Sequence, residues 1–252
     1  MAGKNWTRTE TLAAFALYCR LPFGKLHSRN PEVIALAGRL NRTPSSIAMK
    51  CVNLASLDET HQRRGVVGMQ NASAMDRQVW AEFAVGPEAI SFEAAIAFAD
   101  PTAIPVEVEL EMPILEGKER ERLVRVRVNQ QFFRRMVISS FNESCAVCEL
   151  PLPQLLVASH IVPWASDVAL RMNPRNGLCL CGTHDRAYEC GLLRIERTYT
   201  MRVVAPAKHY PVPAVIDWLL KFDGKSIQMP QRWLPDPDLL QRKLEMVSTL
   251  QL

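Results

Sequence analysis

Five of the chain's seven cysteines fall within one stretch, Cys145 to Cys190, and nothing else in the sequence restricts the fold so strongly. A Cys-x-x-Cys pair, Cys145 and Cys148, opens it. A short apolar run leads to Ser159-His160-Ile161, and the stretch closes on Asn176-Gly-Leu-Cys179-Leu-Cys181, then His184-Asp185 and Cys190. Thiolates at Cys-x-x-Cys spacing suit tetrahedral zinc. Cys145 and Cys148 form one knuckle of a structural Zn²⁺ site and Cys181 gives a third ligand, while Cys179, Cys190 and His184 compete to be the fourth. Strand alternation would put Cys179 and Cys181 on the same face. An odd number of cysteines with no export signal ahead of them argues against a secreted disulfide framework and for the cytoplasm. The alternative is that reduced cysteines act as small buried hydrophobes.

The segment Ala158-Ser159-His160-Ile161-x-Pro163-Trp164, followed by Asn173-Pro174-x-Asn176-Gly177-Leu178 and His184-Asp185, resembles the ββα-metal nuclease motif of the His-Asn-His (HNH) endonucleases, in the branch that includes restriction-type enzymes. Phosphodiester hydrolysis needs an activated water, charge stabilisation on the phosphate and help for the leaving oxygen. A neutral histidine can take a proton from water near neutral pH. The resemblance implies that His160 is that base on a strand, that Asn176 orients it, and that His184 holds a catalytic divalent ion, Mg²⁺ or Mn²⁺. The sequence departs from the pattern at Ser159, where relatives often carry an acidic or histidine co-ligand, so that Ser159 would be a much weaker ligand for the same ion. Spacing after Asn176 also admits Asp185 as the ligand. If His184 is taken by zinc, Asp185 becomes the catalytic metal ligand.

At 252 residues and 48% hydrophobic, the chain can hold one large or two modest domains. Its net charge of +4 permits nucleic-acid binding without arguing for it, so local clusters matter more. No apolar run is long enough to span a membrane.

Toward the N-terminus, Thr7 with Glu10 reads as a capping box opening a helix over 8–20. Asn30-Pro31 and Thr43-Pro44 repeat a cap-plus-proline start, each followed by an apolar stripe. These three helices resemble a Myb/SANT-type bundle, whose third helix lies in the DNA major groove. That resemblance implies DNA contacts from Lys50 and Asn53, with Arg42 just before them. A fourth helix is expected over 71–84 and another over 91–99. Val106–Glu111 alternates within a proline-bearing linker. In Lys118–Arg127 the valines alternate with arginines, which predicts a strand with Arg125 and Arg127 on one basic face. A helix over 130–142 adds Arg134 and Arg135. Strands are expected at 194–195 and 200–204, and helices at 214–222 and 236–247.

The reading is an α+β chain: a helical DNA-targeting module over 1–84, a linker or insert over 85–128 ending in the basic strand, the nuclease domain with its zinc knuckle over 129–200, and a C-terminal extension over 201–252. The expected function is metal-dependent cleavage of double-stranded DNA in a restriction-type role, modification-dependent cutting included. Double-strand cutting needs two active centres, hence a homodimer or repeated binding. Rival readings are a homing or repair-type nicking nuclease, and a zinc-stabilised DNA-binding protein with a degenerate motif.

Overall fold

The computed structural model describes residues 5–63, 71–99, 118–204, 208–210 and 212–249, and the fold is α+β. It divides into two compact units, Met1–Met136 and Val137–Leu252. The expected alternation at Val106–Glu111 lies outside the described residues.

The first unit is built around α1, Arg8–Arg20. Its start follows the sequence: Thr7 Oγ1 accepts from the Glu10 N–H, and the Glu10 carboxylate accepts from the Thr7 N–H at 2.8 Å. Every residue from Glu10 to Cys19 is buried, so this helix is enclosed rather than amphipathic. Its alanines let neighbouring backbones come close. Around it pack α2 (Pro31–Arg39), α3 (Pro44–Ala55), α5 (Ala74–Val85) and α6 (Pro87–Phe98); α4 (Glu59–Arg63) is a single turn. Phe15 anchors the core edge-on to Phe83 and Trp80, at 5.1 and 6.1 Å between ring centroids.

The predicted basic strand is instead part of a helix, α7, Lys118–Ser140. Lys, Glu, Arg and Gln favour helix, and Val124, Val128, Phe132 and Met136 recur every four residues with Phe132 and Met136 buried. On a helix, residues two apart point in widely divergent directions, so Arg125 and Arg127 share no face. Arg125 lies over the Phe92 ring at 4.5 Å, and Asn129 donates to the Glu88 carbonyl at 3.3 Å, both tying α7 to α6. Arg134 is half-buried and Arg135 exposed.

Two cations expected to reach DNA are turned inward. Arg42 donates to both Glu10 oxygens at 3.2 and 2.9 Å, and its side chain is only 7% exposed. Lys50 is buried against Asp76 at 2.7 Å, and Asp76 also closes the capping box of α5 with Ser73. The Trp6 ring covers both, 4.0 Å from the Arg42 guanidinium and 4.7 Å from the Lys50 amine. Asn53 is half-buried, with Oδ1 buried and lacking a donor among the described residues. The Arg42 and Lys50 charges are thus engaged within the helical unit.

In the second unit, β1 (Leu156–His160) pairs antiparallel with β2 (Gly177–Cys181), with Ser159 opposite Leu178 and His160 opposite Gly177. All five residues of β2 are buried, which is why its sequence is an unbroken apolar run. Helix α8, Gly182–Glu189, follows without a loop and packs on both strands. A second hairpin joins β3 (Leu193–Ile195) to β4 (Met201–Val203). The tail adds α9 (Pro213–Trp218) and α10 (Pro237–Thr249), and Arg232, fully buried, donates to Ser139 Oγ at 2.7 Å. Among the described residues no helix is long and apolar enough to cross a membrane.

The Glu10–Arg42 pair makes a measurable prediction. Burial pushes the Glu10 carboxyl up, but the Arg42 guanidinium and the Thr7 N–H outweigh it and hold the group at about 2, against an ordinary 4.5. The resulting stability is present above the ordinary value and is lost as pH falls toward 2, by at most about 3 kcal/mol. Thermal unfolding of Glu10→Gln should therefore show a shallower loss of stability below pH 5 than the natural chain; identical slopes contradict the assignment. Arg42→Glu should destabilise the unit by about 3–5 kcal/mol, because it leaves a buried carboxylate facing another.

Candidate active site and metal centre

Cys145 Sγ, Cys148 Sγ, Cys181 Sγ and a His184 ring nitrogen lie within 4.8 Å of one another. Cys145 and Cys148 come from the turn after α7, Cys181 is the N-cap of α8, and His184 lies in that helix's first turn. The turn is pinned to β2 by Ala146 N–H donating to the Cys179 carbonyl at 2.7 Å, and to the C-terminal segment by Gln228 N–H donating to the Ala146 carbonyl at 2.7 Å. In a tetrahedral zinc site with ordinary bond lengths, sulfur–sulfur edges are about 3.8 Å and sulfur–nitrogen edges about 3.6 Å. Here Cys148 and Cys181 Sγ are 3.9 Å apart and Cys145 Sγ is 3.6 Å from His184 Nδ1, with Cys181 Sγ closer at 3.1 Å.

The histidine is prepared for this role. Its Nε2 lies 2.7 Å from the Trp218 carbonyl, which can only accept, so Nε2 carries the proton and Nδ1 offers its lone pair to the sulfurs. Charge points the same way. Burial pushes the Cys145 thiol up, while hydrogen bonds from the N–H groups of Cys148, Val147 and Cys181 pull it down. Burial, with the charge on Cys145 added, pushes the Cys148 and Cys181 thiols up. Three thiolates cannot coexist here without a cation, and the four donors fit Zn²⁺.

Cys179 lies buried in β2 opposite Ala158, and Cys190 is exposed past α8; neither belongs to the cluster. His184 is 0% exposed, with Nδ1 among the sulfurs and Nε2 against the Trp218 carbonyl. Asp185, the next residue, is half-buried.

His160 ends β1 and is half-buried. Its Nε2 lies 3.0 Å from the Arg171 carbonyl, so that nitrogen is the donor and the lone pair sits on Nδ1. Burial pushes the imidazole below its ordinary value, opposed by the Arg171 hydrogen bond and the negative charge of Glu189. The neutral form therefore prevails at neutral pH. Asn176, fully buried, touches the loop rather than the ring: Oδ1 accepts from Val162 N–H at 2.8 Å, and Nδ2 donates to the carbonyls of Val162 and Leu170 at 3.1 and 3.2 Å. Leu170 precedes Arg171, so Asn176 fixes the carbonyl that fixes His160. Ser159, its neighbour on β1, is 3% exposed, and its hydroxyl has no partner among the described residues. Alternation along the strand sends it to the face opposite His160.

Three participants escaped the sequence reading. Trp218, which sets the His184 tautomer, is remote in sequence and acts through its backbone. Arg171 likewise orients His160 through a carbonyl. Glu189 was detectable, standing one helical turn after Asp185.

If the cluster binds zinc, elemental analysis should give about one zinc per chain, and Cys148→Ser should be unstable or insoluble, since structural zinc contributes on the order of 10 kcal/mol to folding. A chelator should lower Tm and added Zn²⁺ restore it. A stable, metal-free preparation overturns the assignment.

No curated protein matches the chain. Residues 145–196 match a family model described as HNH endonuclease, and that span begins at the first cysteine of the cluster and takes in His160, Asn176, His184 and Asp185. With its ββα order and donor set, this part of the chain is a domain of the HNH endonuclease family.

Proposed function

We propose that the protein is a metal-dependent deoxyribonuclease that hydrolyses phosphodiester bonds in double-stranded DNA. The observation that carries the reading is the His160 ring, held neutral by burial and with its proton on Nε2 by the Arg171 carbonyl. Its Nδ1 is the base that takes a proton from the attacking water. Asn176 acts as a positioning residue by holding the loop behind that carbonyl. Asp185 would hold the divalent ion, Mg²⁺ or Mn²⁺; a hard cation of this kind takes one or two carboxylates and completes its shell with water and phosphate oxygens. When bound, such an ion neutralises charge on the phosphate and the leaving oxygen. Zinc in the sulfur cluster would be structural, bracing the turn, β2 and the start of α8.

A restriction-type role in the cytoplasm, with a homodimer or repeated binding for double-strand cuts, agrees with a separate helical unit preceding the nuclease unit. Ser159 favours the second reading, a zinc-stabilised DNA-binding protein without activity, because a buried hydroxyl stands where an acidic ligand would serve.

Plasmid cleavage with Mg²⁺ or Mn²⁺ separates the two. The natural chain should cut, His160→Ala should lose about 10²–10⁴-fold in rate with folding and DNA affinity retained, and Asp185→Asn should lose a comparable factor. Cleavage by His160→Ala within a few-fold of the natural rate removes His160 as the base. No cleavage with either metal supports the non-catalytic reading.

A further inference from the structure

Arg171 has a side chain that the fold holds in place and leaves without a counter-charge. Its Nε donates to the Trp164 carbonyl at 2.9 Å, and its guanidinium carbon lies 5.1 Å from the centroid of the Trp164 indole. That indole also meets the His160 ring edge-on, with centroids 5.5 Å apart. One tryptophan thus carries both the base and the guanidinium, while the Arg171 carbonyl holds the base by its Nε2 at 3.0 Å.

The charge balance sets Arg171 apart from neighbouring arginines. Arg175 pairs with Asp236 at 3.3 Å, and Arg242 pairs with Asp167 at 3.0 Å. Among the described residues no carboxylate lies within ion-pair distance of Arg171, and its two terminal amino groups have no protein acceptor, although the residue is half-buried. A planar fork whose Nε is already anchored loses little freedom when it binds, and its remaining donors match the spacing of two oxygens on a phosphate. A half-buried cation with donors to spare gains most from an anion supplied by a ligand.

We propose that Arg171 is a catalytic residue whose terminal amino groups bind non-bridging oxygens of the DNA phosphate beside His160 and stabilise the charge that builds there during attack by water. This rests on the nuclease reading above. Structurally, Trp164 is the brace that sets the distance between base and clamp.

The test uses the full, metal-loaded chain with Arg171→Gln and Arg171→Lys. Single-turnover cleavage of a short DNA duplex with Mn²⁺ should slow by about 10²-fold or more in Arg171→Gln, the scale for removing one preorganised donor. Arg171→Lys keeps the charge but not the fork, and should remain about tenfold slow. In a His160→Ala background, where the duplex stays intact, affinity is measured against salt. There Arg171→Gln should reduce the slope of log affinity on log salt by about one unit, and Arg171→Lys should keep it. A residue that only braced Trp164 would lower Tm and leave the slope unchanged, and that result overturns the proposal. So does cleavage by either variant within threefold of the natural rate. If Arg171→Gln is insoluble, Arg171→Lys decides on rate. Should the natural chain fail to cut with either Mg²⁺ or Mn²⁺, the nuclease reading fails while the salt slope still judges the phosphate contact; an unchanged slope, or no DNA binding, rejects Arg171 as well.

Discussion

The two ring nitrogens of His184 face different demands, and the second unit depends on meeting both. Nε2 donates to the Trp218 carbonyl at 2.7 Å, which leaves Nδ1 as an acceptor among three sulfurs. Those sulfurs come from the turn after α7 and from the junction of β2 with α8. A metal bound there would tie together the turn, the end of β2 and the start of α8. Because β2 carries the register of β1, the same tie sets where His160 emerges. Burial makes the arrangement costly without a cation, since the charge on Cys145 opposes ionisation of Cys148 and Cys181.

A chain of backbone contacts then prepares the base. Asn176 holds Val162 and Leu170, the adjoining Arg171 carbonyl accepts a hydrogen bond from His160 Nε2–H, and burial keeps the ring neutral. Side-chain identity matters at Asn176 because its amide must both donate and accept, which an aspartate cannot do. In the first unit Arg42 and Lys50 are likewise held by internal carboxylates, Glu10 and Asp76.

Much of this was legible in the residues. Capping pairs placed α1 to α3 closely: Thr7 with Glu10, Asn30-Pro31 and Thr43-Pro44 all start helices where their chemistry demands. The strand that ends at His160 was implied by the family resemblance, and the Cys179–Cys181 alternation anticipated β2. The basic strand failed because a short Val/Arg alternation was weighed above helix-forming composition and four-residue apolar spacing over Lys118–Ser140. The burial of Lys50 was not legible because its partner, Asp76, is brought up by a later helix that local periodicity cannot see. The choice between His184 and Asp185 could not be made from spacing, since both readings satisfy it; only the approach of Nδ1 to the sulfurs separates them.

The central claim is that His184 serves the sulfur cluster and leaves catalysis to its neighbours. The most direct measurement is the single-turnover DNA cleavage rate of zinc-loaded His184→Cys, read beside its zinc content. A fourth thiolate can replace the imidazole in a tetrahedral site. The account predicts about one zinc per chain and a rate within a few-fold of the natural protein. Full zinc occupancy with the rate reduced to that of His160→Ala would contradict it, and would return His184 to the reacting phosphate.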